Sequence, residues 1–251
     1  LRRRPRVNYA LIGYGKMGKE IERLAAGRNI AIKRIFDEND NVKGKGLTKQ
    51  SLKDVDVCID FSTPEAAPAN ITAAAECGKN IVVGTTGWYG QAKELETLVR
   101  SKKIGLLHSP NFSLGMNVFF HIVTAASKHF DKFEEYDAAI AETHHRGKAD
   151  SPSGTALSLG QIVLQNFRRK KELLLETSHK QIDKDQLHIT STRLGMTVGR
   201  HSVLFDSEAD CIELVHTAKN RSGFALGALV AAEWLKGKKG WYTMKDVMNS
   251  I

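Results

Sequence analysis

Two adjacent imidazoles and a lysine, His144, His145 and Lys148, stand just ahead of the turn Ser151-Pro152-Ser153-Gly154-Thr155. That turn opens the apolar run Ala156 to Leu164. Histidine and lysine can move protons near neutral pH. A helix opening on Ser-Gly-Thr presents free backbone N–H groups and the positive end of its dipole, a natural seat for an anion. Serine at the cap and proline nearby are ordinary helix-start signals, so a well-capped helix accounts for much of the pattern. Gly154 goes beyond that, because it gives up helix propensity to leave bare amides exposed. The segment is therefore expected to hold a small acidic substrate through Ser153, Gly154 and Thr155. His144 is the expected catalytic acid, and Lys148 supplies counter-charge or the proton itself. Metal binding is the rival reading of His144 and His145. Adjacent residues on a strand point to opposite faces, H-E-x-x-H is absent, and the cysteines are distant, so no metal is assigned.

A second group of residues is built for a phosphate ligand. The strand-like run Val7 to Ile12 leads directly into Gly13-Tyr14-Gly15-Lys16-Met17-Gly18, a G-x-G-x-x-G in strand-turn-helix context. Gly13 permits the tight turn, Gly15 lets the backbone approach a pyrophosphate, and Gly18 allows close helix–strand packing. Asp37 closes the second strand at the distance where a ribose-binding carboxylate is expected. It favours NADH, since a carboxylate repels a 2′-phosphate. Lys16, Lys33 and Arg34 leave NADPH open as the alternative. Gly84-Thr85-Thr86-Gly87 follows another strand and is expected to face the nicotinamide half, with Thr86 also within reach of substrate. By the same positional argument Phe61 and the stretch Ser109, Pro110, Asn111 and Phe112 border the cofactor.

The elements that must position these groups alternate. Strands are expected at 7–12, 30–36, 55–61, 81–83 and 104–107, with helices at 17–26, from Thr63-Pro64 to Ala75, and at 91–100. Such alternation implies parallel βαβ units covered on both faces. From Ser109 the rhythm changes. A helix over 117–130, a strand ending in the His pair and a helix over 155–167 are followed by a charged stretch to Lys184. Period-two runs then fall at 187–193, 202–205 and 211–216, and helices at 224–235 and 241–248. The expected fold class is α/β: a Rossmann-type parallel sheet domain (1–112 and 218–251) plus an α+β domain with a mixed sheet (113–217). Ser109 to Leu114 is the expected hinge, with domain closure excluding water.

Length and composition allow a substantial buried core, as one large domain or two modest ones. The 251 residues are 41% hydrophobic and hold no apolar run of membrane-spanning length. The opening Leu1-Arg2-Arg3-Arg4-Pro5-Arg6 is basic with no apolar segment behind it, which is not the pattern of a secretory signal. Cys58, Cys77 and Cys211 read as buried thiols of a reducing, cytoplasmic protein and not as a disulfide frame. The net charge of +9 suits phosphorylated cofactors or dicarboxylates as well as nucleic acid. No basic stripe interleaved with aromatics supports a nucleic-acid partner.

The chain resembles the 4-hydroxy-tetrahydrodipicolinate (dihydrodipicolinate) reductase family. The resemblance rests on Gly13 to Gly18, Ile59 to Pro64, Gly84 to Gly87, Asn111 to Gly115, Glu142 to Thr155, and Arg193-Leu194-Gly195 through His201-Ser202-Val203. It implies NAD(P)H-dependent reduction of a cyclic imine dicarboxylate in diaminopimelate and lysine biosynthesis, and a homotetramer. It also implies that His144 donates a proton, that Lys148 shares in proton donation and substrate binding, and that His145, Gly154 and Thr155 bind substrate carboxylates. The glycine loop is one residue shorter than in better-known members, and Asp37 stands where others carry Glu. Two rivals lack a reason to keep the His-His…Lys…Ser-Gly-Thr segment. One is another amino-acid-pathway dehydrogenase, of the diaminopimelate, homoserine or aspartate-semialdehyde type. The other is a non-catalytic dinucleotide-sensing module.

Overall fold

The computed structural model describes residues 7–28 and 30–250, so the basic arm Leu1 to Arg6 lies outside the described part. The chain forms two compact units: one combines the N-terminal part through Leu114 with the chain from Arg221 onward, the other is Gly115–Asn220.

In the first unit β1 (Val7–Ile12), α1 (Lys16–Ala26), β2 (Ile30–Phe36), β3 (Val57–Asp60), α2 (Ala67–Glu76), β4 (Asn80–Val83), α3 (Ala92–Ser101) and β5 (Gly105–His108) follow in turn. The chain then passes through α4 (Leu114–Phe130), β6 (Asp137–His144), α5 (Gly154–Asn166), β7 (Glu172–Leu174), β8 (Gln186–Arg193), β9 (Arg200–Asp206) and β10 (Cys211–Thr217). It returns to the first unit as α6 (Ser222–Leu235), β11 (Gly240–Thr243) and α7 (Met244–Met248).

The first sheet is wholly parallel, in the order β11-β5-β4-β3-β1-β2. Its strands are apolar on both sides because helices cover both faces. Ala10, Ile12, Cys58, Ile81 and Leu106 pack beneath Ile71 and Ala74 of α2 and Val99 of α3. Their neighbours Tyr9, Leu11, Ile59, Val82 and Leu107 pack beneath Ile21 of α1 and the alanine-rich α6. All the turns after these strands therefore emerge on one edge.

Two elements differ from expectation here. The helix expected from Thr63-Pro64 starts at Ala67, because the Thr63 carbonyl first takes the N–H groups of Ala66 and Ala67 in a turn. Pro68 then fills the helix's first turn. The expected helix over 241–248 divides into β11 and the short α7. Gly240 and the aromatic pair Trp241-Tyr242 extend the sheet beside β5, and a Thr243–Asp246 capping box starts α7.

The second sheet is mixed, in the order β10-β9-β6-β8-β7, with β6, β7 and β8 mutually parallel, β9 antiparallel to β6 and β10 antiparallel to β9. Met116, Phe119 and Val123 of α4 and Leu159 and Val163 of α5 cover one face, over Ile140, Ile189, Val203 and Phe205. The short β7 lies within the charged stretch that runs to Lys184, where no strand is expected; three residues pairing at an edge leave little periodic signal. Cys58 is buried as expected, Cys77 is half-buried, and Cys211 is exposed, since it opens the edge strand β10 where only one neighbour covers it. Among the described residues no helix is long and apolar enough to cross a membrane.

Candidate active site

From Ala138 onward β6 alternates buried and half-buried positions, and its buried row runs Ala138, Ile140, Glu142, His144. The first two join the core and the last two place a carboxylate and an imidazole at the strand's carboxyl end. Register sets their neighbours. Glu142 lies between Ser191 of β8 and His201 of β9, and His144 beside Arg193. The Glu142 carboxylate is fully buried and serves several partners at once. It forms an ion pair with His144 Nδ1, accepts from Arg193 Nη1 at 3.0 Å, and accepts from the Ser153 N–H at 3.3 Å. Arg193 Nη2 also donates to the Asp150 carbonyl at 2.6 Å, tying the following loop to the strand end.

α5 begins next to this cluster. Ser153 is its cap and accepts the Ala156 N–H at 3.2 Å, while its hydroxyl lies 3.2 Å from His201 Nε2. Burial, aided by the nearby His144, holds His201 down to about 4. It is therefore neutral at neutral pH, and its Nε2 can take the Ser153 hydroxyl proton while Oγ accepts from the helix. Gly154 is exposed, and a β-carbon there would meet nothing within 4 Å. The first amides of the helix thus stand clear. Lys148 pairs with Asp150 at 2.7 Å, and the hydrogen bond from Lys148 is the main reason the Asp150 carboxyl sits below its ordinary range.

Burial pushes the Glu142 carboxyl up, but hydrogen bonds from Ser191 and Arg193 and the charges of His144 and Arg193 outweigh it, so the group stays below its usual value. Burial also holds His144 below the ordinary imidazole range, opposed by Glu142 and reinforced by Lys148 and Arg193. With Nδ1 turned to the carboxylate, Nε2 is the nitrogen that can take up and deliver a proton. It lies close to Gly199, where a β-carbon would fall 3.0 Å away.

The spatial partner of His144 is His201, with ring centroids 5.1 Å apart, and not its sequence neighbour His145, which lies just past the strand end. Glu142, His144 and His201 bring potential ligand atoms within 4.8 Å of one another. The Arg193 guanidinium, 3.0 Å from Glu142 Oε1, supplies a fixed positive charge facing this carboxylate. Glu142, Arg193 and His201 stand among the residues that carry the family resemblance, but the sequence assigns them no task in the site. The signal was present for Glu142, two residues before His144 and hence on the same face. Nothing local marks the pairing with β8 and β9.

In the first unit the expected cofactor residues gather along the carboxyl edge of the parallel sheet. Gly13 takes φ +88°, and a β-carbon there would strike the Phe61 carbonyl at 2.4 Å. Gly18 packs on the Gly13 carbonyl, whereas Gly15 faces open space. The three glycines thus perform the separate tasks of a dinucleotide loop, and the residues present fit such a ligand. Tyr14 is turned back to Glu22 by a hydrogen bond from its hydroxyl. Lys16 and Met17 open α1. Asp37 is exposed at the end of β2 and one of its oxygens accepts the N–H groups of Asn39 (2.8 Å) and Asp40 (3.0 Å). Gly84 lies under the Phe61 ring, and Phe61 meets Phe112 edge to face at 5.8 Å. Thr85 is buried, Thr86 exposed. Ser109 and Asn111 are buried and bonded to one another, with Pro110 exposed between them.

A parallel, doubly covered sheet with a dinucleotide loop, followed by a mixed-sheet unit bearing an acid–base cluster, defines a two-unit nucleotide-dependent oxidoreductase. The chain matches the model for the dihydrodipicolinate reductase N-terminus over residues 7–112 and that for its C-terminus over 115–248. It is 39% identical, over 98% of its length and 99% of the relative's, to the 4-hydroxy-tetrahydrodipicolinate reductase of Christiangramia forsetii. It is 38% identical to that of Archaeoglobus fulgidus, over 93% of this chain and 96% of the relative. Among solved structures it is similar to a dipicolinate-bound dihydrodipicolinate reductase from Paenisporosarcina sp. TG-14, with TM-score 0.76 and 24% identity over 94% of this chain and 97% of that one. The chain belongs to the dihydrodipicolinate reductase family.

Proposed function

We propose that the protein reduces the cyclic, conjugated imine dicarboxylate 4-hydroxy-tetrahydrodipicolinate (dihydrodipicolinate) to tetrahydrodipicolinate, using NAD(P)H, in diaminopimelate and lysine biosynthesis. The observation that carries this reading is the Glu142–His144–His201–Ser153 cluster beside the open start of α5. A reduced nicotinamide, when bound, supplies the hydride. Gly13 to Gly18 hold its diphosphate, Asp37 its ribose, and Phe61, Gly84 to Thr86 and Ser109 to Phe112 border its other end. The amides of Gly154 and Thr155, the side chains of His145 and Lys148, and the hydroxyls of Ser153 and Thr86 bind the two carboxylates. His144 delivers the proton from Nε2 to the site where negative charge develops, and Glu142 stabilises the imidazolium that precedes the transfer. Lys148, close by, is the alternative donor.

The exposed Asp37 carboxylate disfavours a 2′-phosphate, so NADH is the proposed preference. A homotetramer is the proposed assembly. It is supported by the face of the second sheet that points away from α4 and α5, where half-buried Ala139, Ala141 and Thr143 sit near exposed Val215. Sedimentation at micromolar concentration should give four copies, and a monomer refutes the assembly.

The deciding assay is consumption of NADH or NADPH with and without freshly generated substrate. Oxidation should require substrate, and a protein that binds the dinucleotide without consuming it is no reductase.

A further inference from the structure

β3 ends on Asp60, whose side chain is completely buried. Its hydrogen-bond partners are all neutral. Oδ1 accepts from the Ser62 N–H (3.0 Å), the Ser62 hydroxyl (2.8 Å) and the Thr85 hydroxyl (2.8 Å), and Oδ2 accepts from Asn70 Nδ2 at 2.7 Å. The network continues outward. Asn70 Oδ1 accepts from Asn41 Nδ2 at 2.7 Å, and Asn41 Oδ1 accepts the Gly46 N–H at 3.0 Å. Burying a carboxylate without a cation is unfavourable; burial pushes the Asp60 carboxyl up by more than its four hydrogen-bond donors pull it down. An apolar residue would close the end of this strand at far less cost, so the hydrogen-bonded carboxyl group has a use.

Its use lies in what it joins. Ser62 is in the turn after β3, Thr85 in the loop after β4, Asn70 on α2, and Asn41 in the segment after β2. Three of these four are the segments that border the dinucleotide in the function proposed above, and the present inference rests on that reading. The network also has a fixed direction. A carboxylate can only accept, so Asn70 must turn its NH2 group inward and its carbonyl outward. Asn41 must then donate to Asn70 and accept from Gly46. We propose that Asp60, acting through Asn70 and Asn41, is the positioning residue that sets the dinucleotide-binding loops of this enzyme in one register.

Asp60→Asn leaves shape unchanged but breaks the direction. Its NH2 group must face either Asn70 Nδ2 or the Ser62 and Thr85 donors. Turning over Asn70 and then Asn41 only passes the mismatch to the Gly46 N–H, which cannot reverse. Relief comes most readily from release of the loops that carry Ser62, Thr85 and Gly46, which the cofactor must then re-order. Asp60→Asn/Asn70→Asp restores the pattern, because the carboxylate moved to α2 accepts both from the amide introduced on β3 and from Asn41.

The test is titration of NADH and NADPH by their fluorescence, together with steady-state kinetics and dipicolinate as a probe of the dicarboxylate site. Asp60→Asn should raise the dinucleotide Kd and KM about tenfold or more. The kcat at saturating dinucleotide should stay within about threefold, and dipicolinate affinity should be unchanged. The double variant should return Kd to within about threefold of wild type. Thr85→Val removes one loop tie alone and should weaken dinucleotide binding about threefold or more without unfolding. A folded Asp60→Asn variant with wild-type dinucleotide affinity overturns the inference. So does a folded double variant no better than the single one, and if Asp60→Asn does not fold, unchanged Kd in Thr85→Val does the same. Failure of the wild-type protein itself to bind either dinucleotide overturns the underlying functional reading, and is seen before any variant is made.

Discussion

Replacing Glu142 by Gln tests the acid–base cluster most directly, because one carboxylate supports its three other parts. The substitution keeps volume and leaves an acceptor for the Ser153 N–H, but it removes the negative charge facing His144 and Arg193. The side chains of Glu142 and His144 are 0% and 10% exposed, so solvent screens the pair weakly. Two unit charges about 4 Å apart interact by about 4 kcal/mol at an effective dielectric of ~20. Allowing for relaxation, ~2 kcal/mol of imidazolium stabilisation should vanish, which moves the His144 pKa further down. The donating form is the imidazolium, so the rate falls as pH rises through that pKa. In Glu142→Gln the falling limb should therefore begin at lower pH, and turnover at pH 7.5 should drop ~10-fold or more while the Kd for NADH stays put. Leaving the largely buried Arg193 guanidinium with carbonyl partners but no carboxylate should also destabilise the fold, by about 3 kcal/mol at most. The assay is NAD(P)H oxidation from pH 5.5 to 9 beside urea unfolding of the same samples. A pH–rate profile superimposable on wild type refutes the reasoning, even if stability falls.

Other outcomes separate the remaining roles. His144→Gln should slow turnover roughly 10²-fold with dinucleotide affinity unchanged. If it does not and Lys148→Met does, Lys148 is the donor. His201 is held at about 4 against an ordinary 6.5, so the unfolded chain binds its proton first. The resulting stability is complete above pH 6.5 and is lost as pH falls toward 4, amounting to about 3 kcal/mol. His201→Gln should flatten that part of the unfolding profile, and an unchanged acid loss in the variant removes His201 as its source. Gly15→Ala should leave the melting temperature nearly unchanged, since a β-carbon there meets nothing within 4 Å, yet should sharply weaken NADH binding. Gly13→Ala, strained at φ +88° and colliding with Phe61, should lose stability as well. Equal NADH affinity in Gly15→Ala and wild type would count against a diphosphate over that loop.

Much of this protein is determined by order along the chain. Strand-helix alternation specifies a parallel sheet, because strands apolar on both sides must be covered on both faces. The glycine loop is legible for a related reason: its three glycines answer local demands of turn, approach and packing, all within six residues. Period-two alternation likewise puts Glu142 on the same face as His144. What β9 and β8 add was not legible. His201 lies 57 residues beyond His144 in sequence, and Arg193 is 51 residues beyond Glu142. Only sheet register makes them neighbours, and register is a property of the assembled strands. The adjacent His145, conspicuous in sequence, falls past the strand end and outside the pair. Edge elements were misread for the opposite reason, as β7 and β11 are held by a single neighbour and need little pattern of their own. Local geometry thus fixed which residues could do chemistry. Long-range strand pairing decided that Arg193 faces the Glu142 carboxylate and that His201 is buried neutral beside Ser153.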